Sequence, residues 1–423
     1  NLTSSLSHSQ NTKTQTVNLS VPDIVFNMNR IFPLKKLGKQ GKSHWYHKIG
    51  VRYTMNTKNT ISIEDSLLFT QNALDKFRNG MKHNIPISTS IKVLKHFTLT
   101  PRINITERWY TSQIEKQWNA SDSTLTTDTL HQFTRGYDYS LSTALNTKIY
   151  GLVQFRKGKL AAIRHVITPN LSFTYRPDLS AEQYGFYKTV QTDADGTMQS
   201  YSIMKNGIFG SPSNRKSGNI GFNLGNILEM KVRSNKDTTE SFKKIKILES
   251  LNISTAYNIF ADSLNLNDIS LNARTRLLNF LDITFSSKYD PYIVNKMQNN
   301  NLKSFELLTN KRIARFTAAS ASIGVDISDK TFSKKIEQEK EEKHEQKEDF
   351  YKIPWNFSTH YFISYNKGYK SAAFADTVQS LNFSGNIKIT PKWKIGFQSG
   401  YDFDTKKLSY TSIDVYRDLH CWE

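Results

Sequence analysis

The sequence has a single cysteine, Cys421, among 423 residues. No internal disulfide can form, and no zinc site can be built from cysteine thiolates. It also lacks any run of about 18 apolar residues, which excludes a membrane-spanning helix. That absence does not exclude a barrel, whose strands are only half apolar. No signal peptide is visible: the chain opens NLTSSLSHSQ, without an initiating Met, a basic start or an apolar run. It stops at LHCWE, just after the alternating stretch LSYTSIDVY. Both ends are therefore expected to be cuts inside a longer protein. Acidic residues are scarce, 37 Asp and Glu against 57 Lys and Arg, for a net charge of +20. A basic surface suits nucleic acid, an anionic membrane or acidic ligands. The charge is scattered, with no basic helix or RNA-binding signature, so nucleic acid is not an expected partner.

What the chain does have is alternation. In HFTLTPRINITERWY, Phe97, Leu99, Ile103, Ile105 and Trp109 share one parity. Thr98, Thr100, Arg102, Asn104, Thr106 and Arg108 share the other. Successive side chains of a strand leave opposite faces, so this is an extended segment with one apolar face. The pattern recurs at 137–146, 164–176, 250–258 and 282–289. It is longest in QSLNFSGNIKITPKWKIGFQSGYDF, where a turn near Thr390 to Lys392 predicts a hairpin. With no long amphipathic helix, the helical and parallel-sheet classes are excluded.

Two stretches, LTPRINIT (99–106) and ITPNLSFT (167–174), echo each other. Proline removes a ladder donor, so Pro101 and Pro169 are expected at strand starts, bulges or edges. The polar stretches 117–132 and 192–218 are too long for hairpin turns and read as loops. KKIEQEKEEKHEQKED (334–349) is nearly all charge, a solvated loop. YRPD and YDPY read as strand-end turns in which Asp bonds nearby backbone.

The apolar face could meet a protein core or lipid. A soluble all-β chain of this length normally divides into sandwiches with distinct linkers, and none is visible. Strands of about ten residues match a tilted bilayer crossing. The opposite face carries Arg102, Arg108, Arg164, Arg176 and Lys388 among Ser, Thr and Asn. In a wide barrel such a face lines water. Trp109, Tyr110, Tyr289, Tyr292, Trp355, Trp393 and Tyr401 fall near strand ends, where interfacial girdles lie.

No catalytic constellation emerges. His165 with Asp178, or His360 with Ser358, are only sequence neighbours, and no enzyme is expected. No cofactor or metal site is expected, and His344 lies in the charged run. The Asn-x-Ser/Thr triplets at Asn104, Asn170, Asn252 and Asn382 fall inside expected strands, where Asn, Ser and Thr form the polar face.

Several stretches resemble the barrel of LptD-type lipopolysaccharide-assembly proteins in their Bacteroidetes-like form. They are LSVPDIVFNMNRIFPL (19–34), RHVITPNLSFTYRPD (164–178), GFNLGNILEMKV (221–232), DITFSSKYDPY (282–292), PKWKIGFQSGYDF (391–403) and YRDLHCWE (416–423). They span most of the chain, in order. The resemblance implies an outer-membrane barrel of about 26 strands. It also implies an LptE-like lipoprotein plug in the lumen, periplasmic lipopolysaccharide-transport components and a lateral opening between first and last strands. The jelly-roll domain and the cysteine pairs of such proteins have no counterpart here. The final strands would follow Glu423, so no gate residues are assigned.

The combined expectation is an all-β fold, a large antiparallel transmembrane β-barrel, incomplete here with about 16 to 18 strands. Residues 1–423 are expected to form part of one barrel domain, with a charged loop at 333–350. Its expected place is the outer membrane, and its expected work is non-enzymatic delivery of lipopolysaccharide to the outer leaflet. Arg102, Arg108, Arg164 and Arg176 are the expected lumen-facing contacts to lipopolysaccharide. A porin, a nutrient transporter and a secreted β-rich adhesin are the alternatives.

Overall fold

The computed structural model describes residues 1–37, 44–233, 242–295, 300–329, 331, 353–367 and 375–418. The charged run at 333–350 and Cys421 lie outside them. The chain divides into two compact units, Asn1–Asn146 with Leu171–Ile220 and Asn258–Ala261, and Thr147–Asn170 with Gly221–Tyr257 and Asp262–Glu423.

The first unit is a meander of β1 (Leu2–Asn11), β2 (Thr16–Ile31), β3 (Gly50–Glu64), β4 (Arg78–Ser88), β5 (Ile91–Val93), β6 (Phe97–Tyr110) and β9 (Thr134–Asn146). Two small hairpins join it: β7 (Gln113–Asn119) with β8 (Thr124–Leu130), and β12 (Tyr187–Gln191) with β13 (Met198–Ser202). The second unit takes β10 (Ile149–Gln154), most of β11 (Leu160–Arg176) and β14 (Ser217–Arg233), then β15 (Phe242–Asn258), β16 (Ile269–Leu277) and β17 (Leu281–Asp290). After the small pair β18 (Tyr292–Asn295) and β19 (Asn300–Phe305) come β20 (Arg315–Ser328), β21 (Trp355–Asn366), β22 (Asp376–Thr390), β23 (Trp393–Asp402), β24 (Lys407–Leu408) and β25 (Ser412–Arg417). Strand pairing is antiparallel, as between β2 and β3 and between β21 and β22.

The all-β class is as the alternation implied: among the described residues strands predominate and the helices are few and short. Among the described residues the large antiparallel sheet has nineteen strands. Leaving out β5 and β24, of three and two residues, seventeen remain, within the expected number. No helix among the described residues is long and apolar enough to cross a membrane. The expected hairpin closes with Thr390 opposite Trp393.

Register turns alternation into two faces. In the first unit Asn27, Thr54, Asn84, Thr106 and Asp138 form one cross-strand row, and Ser88, Arg102 and Ser142 another on the same face. On the opposite face Ile87, Ile103 and Leu141 line up, beside Ile85, Ile105 and Tyr139. Ile103 remains 41% exposed and Leu141 40%. The second unit repeats this, with Ile283, Ile323, Tyr361, Leu381 and Tyr401 in one apolar row, and Ile323 43% exposed. Opposite lie Thr284, Ser322, Phe362 and Ser380, a mostly hydroxyl row with one aromatic in it. Apolar rows this extended and this open are suited to lipid, not to water.

Pro101 and Pro169 sit within strands, not at their starts. Each carbonyl accepts a bond from the residue that follows the neighbouring strand: Thr89 N at 3.2 Å and Thr147 N at 3.3 Å. Thr89 lies in the break between β4 and β5, and Thr147 in the break between β9 and β10. A residue's N–H and C=O point to the same side of a strand. The missing proline donor therefore faces an interruption in the ladder, where it leaves little unsatisfied.

Of the two polar stretches read as loops, 117–132 is largely strand, whereas 192–218 holds β13 and the start of β14 and is otherwise loop, as expected. Residues 113–130 form the β7–β8 hairpin, and 187–202 form β12–β13. Their alternation is masked by Thr, Ser and Asp, and the burial comes from a distant segment: Ile114, Val190 and Tyr201 make one core with Leu125. Ile114 N donates to Ile203 O at 2.8 Å, and Lys188 Nζ lies 3.0 Å from Glu115 Oε1. Two expected girdle residues are also placed differently. Tyr110 is 2% exposed in a core with Leu179, Phe186, Tyr187, Ile203 and Met204. Tyr292 is 4% exposed, and its hydroxyl accepts Leu266 N at 2.8 Å. The Asp turns are as expected: Asp178 accepts Ser180 N at 2.8 Å and Asp290 accepts Tyr292 N at 2.9 Å.

The β12–β13 tip carries a pH-sensitive bond. Asp193 accepts Thr197 N at 2.9 Å, and hydrogen bonds from Thr197 hold its carboxyl below the ordinary value. A depressed pKa means that this support is full above the unfolded value and is lost as pH falls through the folded one. The Thr197 amide resonance should titrate with an inflection below about 3.9, the ordinary Asp value. Asp193→Asn should abolish the titration. An inflection at or above the ordinary value would show that the bond is not made in solution.

Candidate functional site

The four arginines read from the sequence have different surroundings. Arg102 is exposed between Ser88 and Ser142 on the hydrophilic face of the first unit. Arg176 is exposed at the end of β11. Arg108 is committed to the fold. It donates through Nη1 to Asp138 Oδ2 at 2.7 Å and through Nε to Phe209 O at 3.0 Å. The segment 203–213 thus lies on the hydrophilic face. Tyr110 OH donates to Gly210 O at 2.7 Å, and Arg78 Nη2 to Asn206 O at 2.7 Å. Gly80 and Gly207 leave room for the Tyr110 ring, which an added Cβ would approach within 2.8 and 2.6 Å.

Arg164 leads to the most developed candidate site. β10 and β11 pair with Leu152 opposite Arg164 and Gln154 opposite Ala162. A Cβ on Gly225 would lie 3.2 Å from Asn252 Oδ1 and 3.7 Å from Thr168 Cβ. Even residues of β11 and β15 therefore share a face with odd residues of β14. That rule gathers Arg164, Glu229, Lys231, Arg233 and Lys244. They line a groove of about 610 Å³, with Leu152, Phe155, Phe242 and Arg156 also in its wall.

Five cations face one carboxylate here, and they are held differently. Arg164 Nε donates to Glu229 Oε2 at 2.9 Å, and its Nη2 contacts the same oxygen. Arg233 braces the turn after β10, donating to Phe155 O at 2.7 Å, Arg156 O at 3.1 Å and Gly158 O. Lys231 Nζ lies 5.3 Å from the Phe242 ring centroid. The side chains of Arg156 and Lys244 are exposed and make no hydrogen bond or ion pair among the described residues. Arg233 is thus committed to the turn, Arg164 is oriented by Glu229 through Nε and Nη2 while its guanidinium stays half exposed, and Arg156, Lys231 and Lys244 remain available. Arginine offers paired donors to phosphate and lysine a point charge, while Leu152, Phe155 and Phe242 offer apolar contact. The groove suits a phosphate-bearing amphiphile.

The sequence reading found Arg164 and missed the others. EMKVR puts Glu229, Lys231 and Arg233 on one parity, a signal that was available. Their meeting with Arg164 depends on the register of β11 with its neighbours, which parity does not supply. Among the described residues no group of His, Cys, Asp and Glu could hold a metal ion.

The family model described as LptD protein matches residues 1–292. No curated protein matches the chain. Among solved structures, the siderophore receptor PirA from Acinetobacter baumannii is 8% identical, with 92% of this chain and 53% of that chain covered and a TM-score of 0.36. A mutant ferric enterobactin receptor, PfeA, from Pseudomonas aeruginosa is 10% identical, with 95% and 61% covered and a TM-score of 0.29. The chain spans between half and two thirds of the length of these structures.

Proposed function

Because this chain belongs to the LptD protein family, we propose that it is part of an outer-membrane β-barrel that passes lipopolysaccharide to the outer leaflet. Residues 1–423 would all belong to that one barrel. The observation that carries the reading is the division of the faces. One side exposes rows of Ile, Leu and Tyr, and the other gathers cations in a groove with apolar patches.

The reading needs no bond-making chemistry. The hydrophilic face keeps water and offers donors to phosphates and sugars. Arg164, Arg156, Lys231 and Lys244 receive phosphate, with Arg102 and Arg176 as further exposed cations on the path. Arg108 contributes by holding segment 203–213 in place. Acyl chains leave through the side of the wall. The partners of this reading are lipopolysaccharide, an LptE-like lipoprotein plug and periplasmic lipopolysaccharide-transport components.

Ala162 opposes Gln154 in the groove wall and carries no charge, so it can be replaced without removing a contact. A photo-crosslinking residue at position 162 of the full-length protein, irradiated in cells, should yield a lipopolysaccharide adduct. An adduct with phospholipid alone, or none, would overturn the reading.

A further inference from the structure

The hydrophilic face of the second unit has another depression, and its chemistry differs from that of the groove. Among the described residues its lining includes Ser358, His360, Asn382, Ser384, Gln398 and Tyr410, and no charged side chain. On a chain of net charge +20 a neutral patch this size stands apart. Resting on the reading above, in that the face must be wet, we propose that this patch binds a neutral glycan.

The register makes the patch a lattice. Gly324, His360, Asn382 and Gly400 follow one another across β20, β21, β22 and β23. Two residues along, Ser358, Ser384, Gln398 and Ser412 do the same, and Asp326, outside the lining, accepts the Ser358 hydroxyl at 2.6 Å. Neighbours across strands lie about 4.8 Å apart, and the rows about 6.8 Å. His360, Asn382, Ser384 and Gln398 are exposed, and their side chains have no partner among the described residues. They supply donors and acceptors together, as sugar hydroxyls require.

The glycines shape the floor. A Cβ on Gly324 would come within 2.6 Å of His360 Nδ1. One on Gly400 would come within 2.6 Å of Asn382 Oδ1 and 2.7 Å of Ser409 Oγ. Both glycines are buried, so the ring and the amide lie down over them and leave a shallow dish. Tyr410 stands at its margin, 82% exposed. An aromatic ring beside neutral hydrogen-bonding groups suits a pyranose, whose C–H face is apolar and whose rim is hydroxyl. A phosphate finds no cation in this lining.

The test uses the full-length protein in amine-oxide micelles, free of sugar detergents, with maltoheptaose as the neutral probe and glucose 1-phosphate as the charged one. Saturation-transfer NMR should detect maltoheptaose on the wild type. Tyr410→Ala should weaken it about five- to tenfold, as loss of one stacked ring implies. Asn382→Ala with Gln398→Ala should weaken it at least as much. Glucose 1-phosphate binding should be unchanged by these substitutions. Failure of the wild type to bind maltoheptaose, or equal binding by both variants, overturns the proposal. The adduct at position 162 reports on the groove, so the two readings can fail separately.

Discussion

Replacing Arg156, Arg164, Lys231 and Lys244 with glutamine should lower the affinity for lipopolysaccharide about five- to several-hundredfold. Glu229→Gln is included so that no carboxylate is left without its cation. Each exposed charge contact contributes about 0.2–1 kcal/mol, so four together contribute roughly 1–4 kcal/mol. The difference should shrink as salt is raised, because exposed charges are screened within about 10 Å at 0.1 M. It should also shrink on a dephosphorylated ligand, where only the contacts of Leu152, Phe155 and Phe242 persist. Arg233 is left in place because it holds the turn through the carbonyls of Phe155 and Arg156. Equal affinity of the variant and the wild type, in low salt and on the phosphorylated ligand, would remove the groove from the path.

Arg108→Ala should release segment 203–213 from the hydrophilic face. The Arg108 side chain is 12% exposed and that of Asp138 16%, so solvent screens this ion pair little. Breaking a buried pair from one side costs about 3–5 kcal/mol, and the residual exposure here places the loss near the lower end. Part of the cost is the Asp138 carboxylate left without its cation, and part is the Phe209 carbonyl left without its donor. Arg108→Ala with Asp138→Asn should therefore lose less than Arg108→Ala alone. Trypsin cleavage after Lys205 is the readout, because a tryptic site is cut faster once its backbone is free to extend. Wild-type digestion rates in Arg108→Ala would show that the segment is held by the Tyr110, Leu179 and Met204 core without the latch.

The strands were legible because each is long enough for period-two alternation to repeat. From Phe97 to Tyr110 the parity runs through the whole of β6, and the structure keeps it. The β7–β8 and β12–β13 hairpins were not legible. Their inward residues, such as Ile114, Val190 and Tyr201, are few, and they are buried by each other across the chain. Tyr110 shows the same limit. Its position at a strand end suggested a lipid interface, but a segment about a hundred residues later covers it. Arg164 was legible as a cation on the polar parity of its strand, and Arg108 as one on the same kind of face. That one lines a groove and the other is a structural latch follows from what faces them, Glu229 in one case and Asp138 with Phe209 in the other.

The pairing of the two small hairpins imposes an order of assembly. When β7 and β8 emerge from synthesis, Ile114 and Leu125 have no cover until residues 187–203 arrive. The strands from β1 to β9 can pair with near neighbours at once, whereas this cap must wait for a long-range closure, and such closures are slow. During that interval the first half of the chain carries a sticky, unfinished tip. Premature termination between β9 and β12 should therefore give a product that aggregates through that tip, even with its larger sheet already paired.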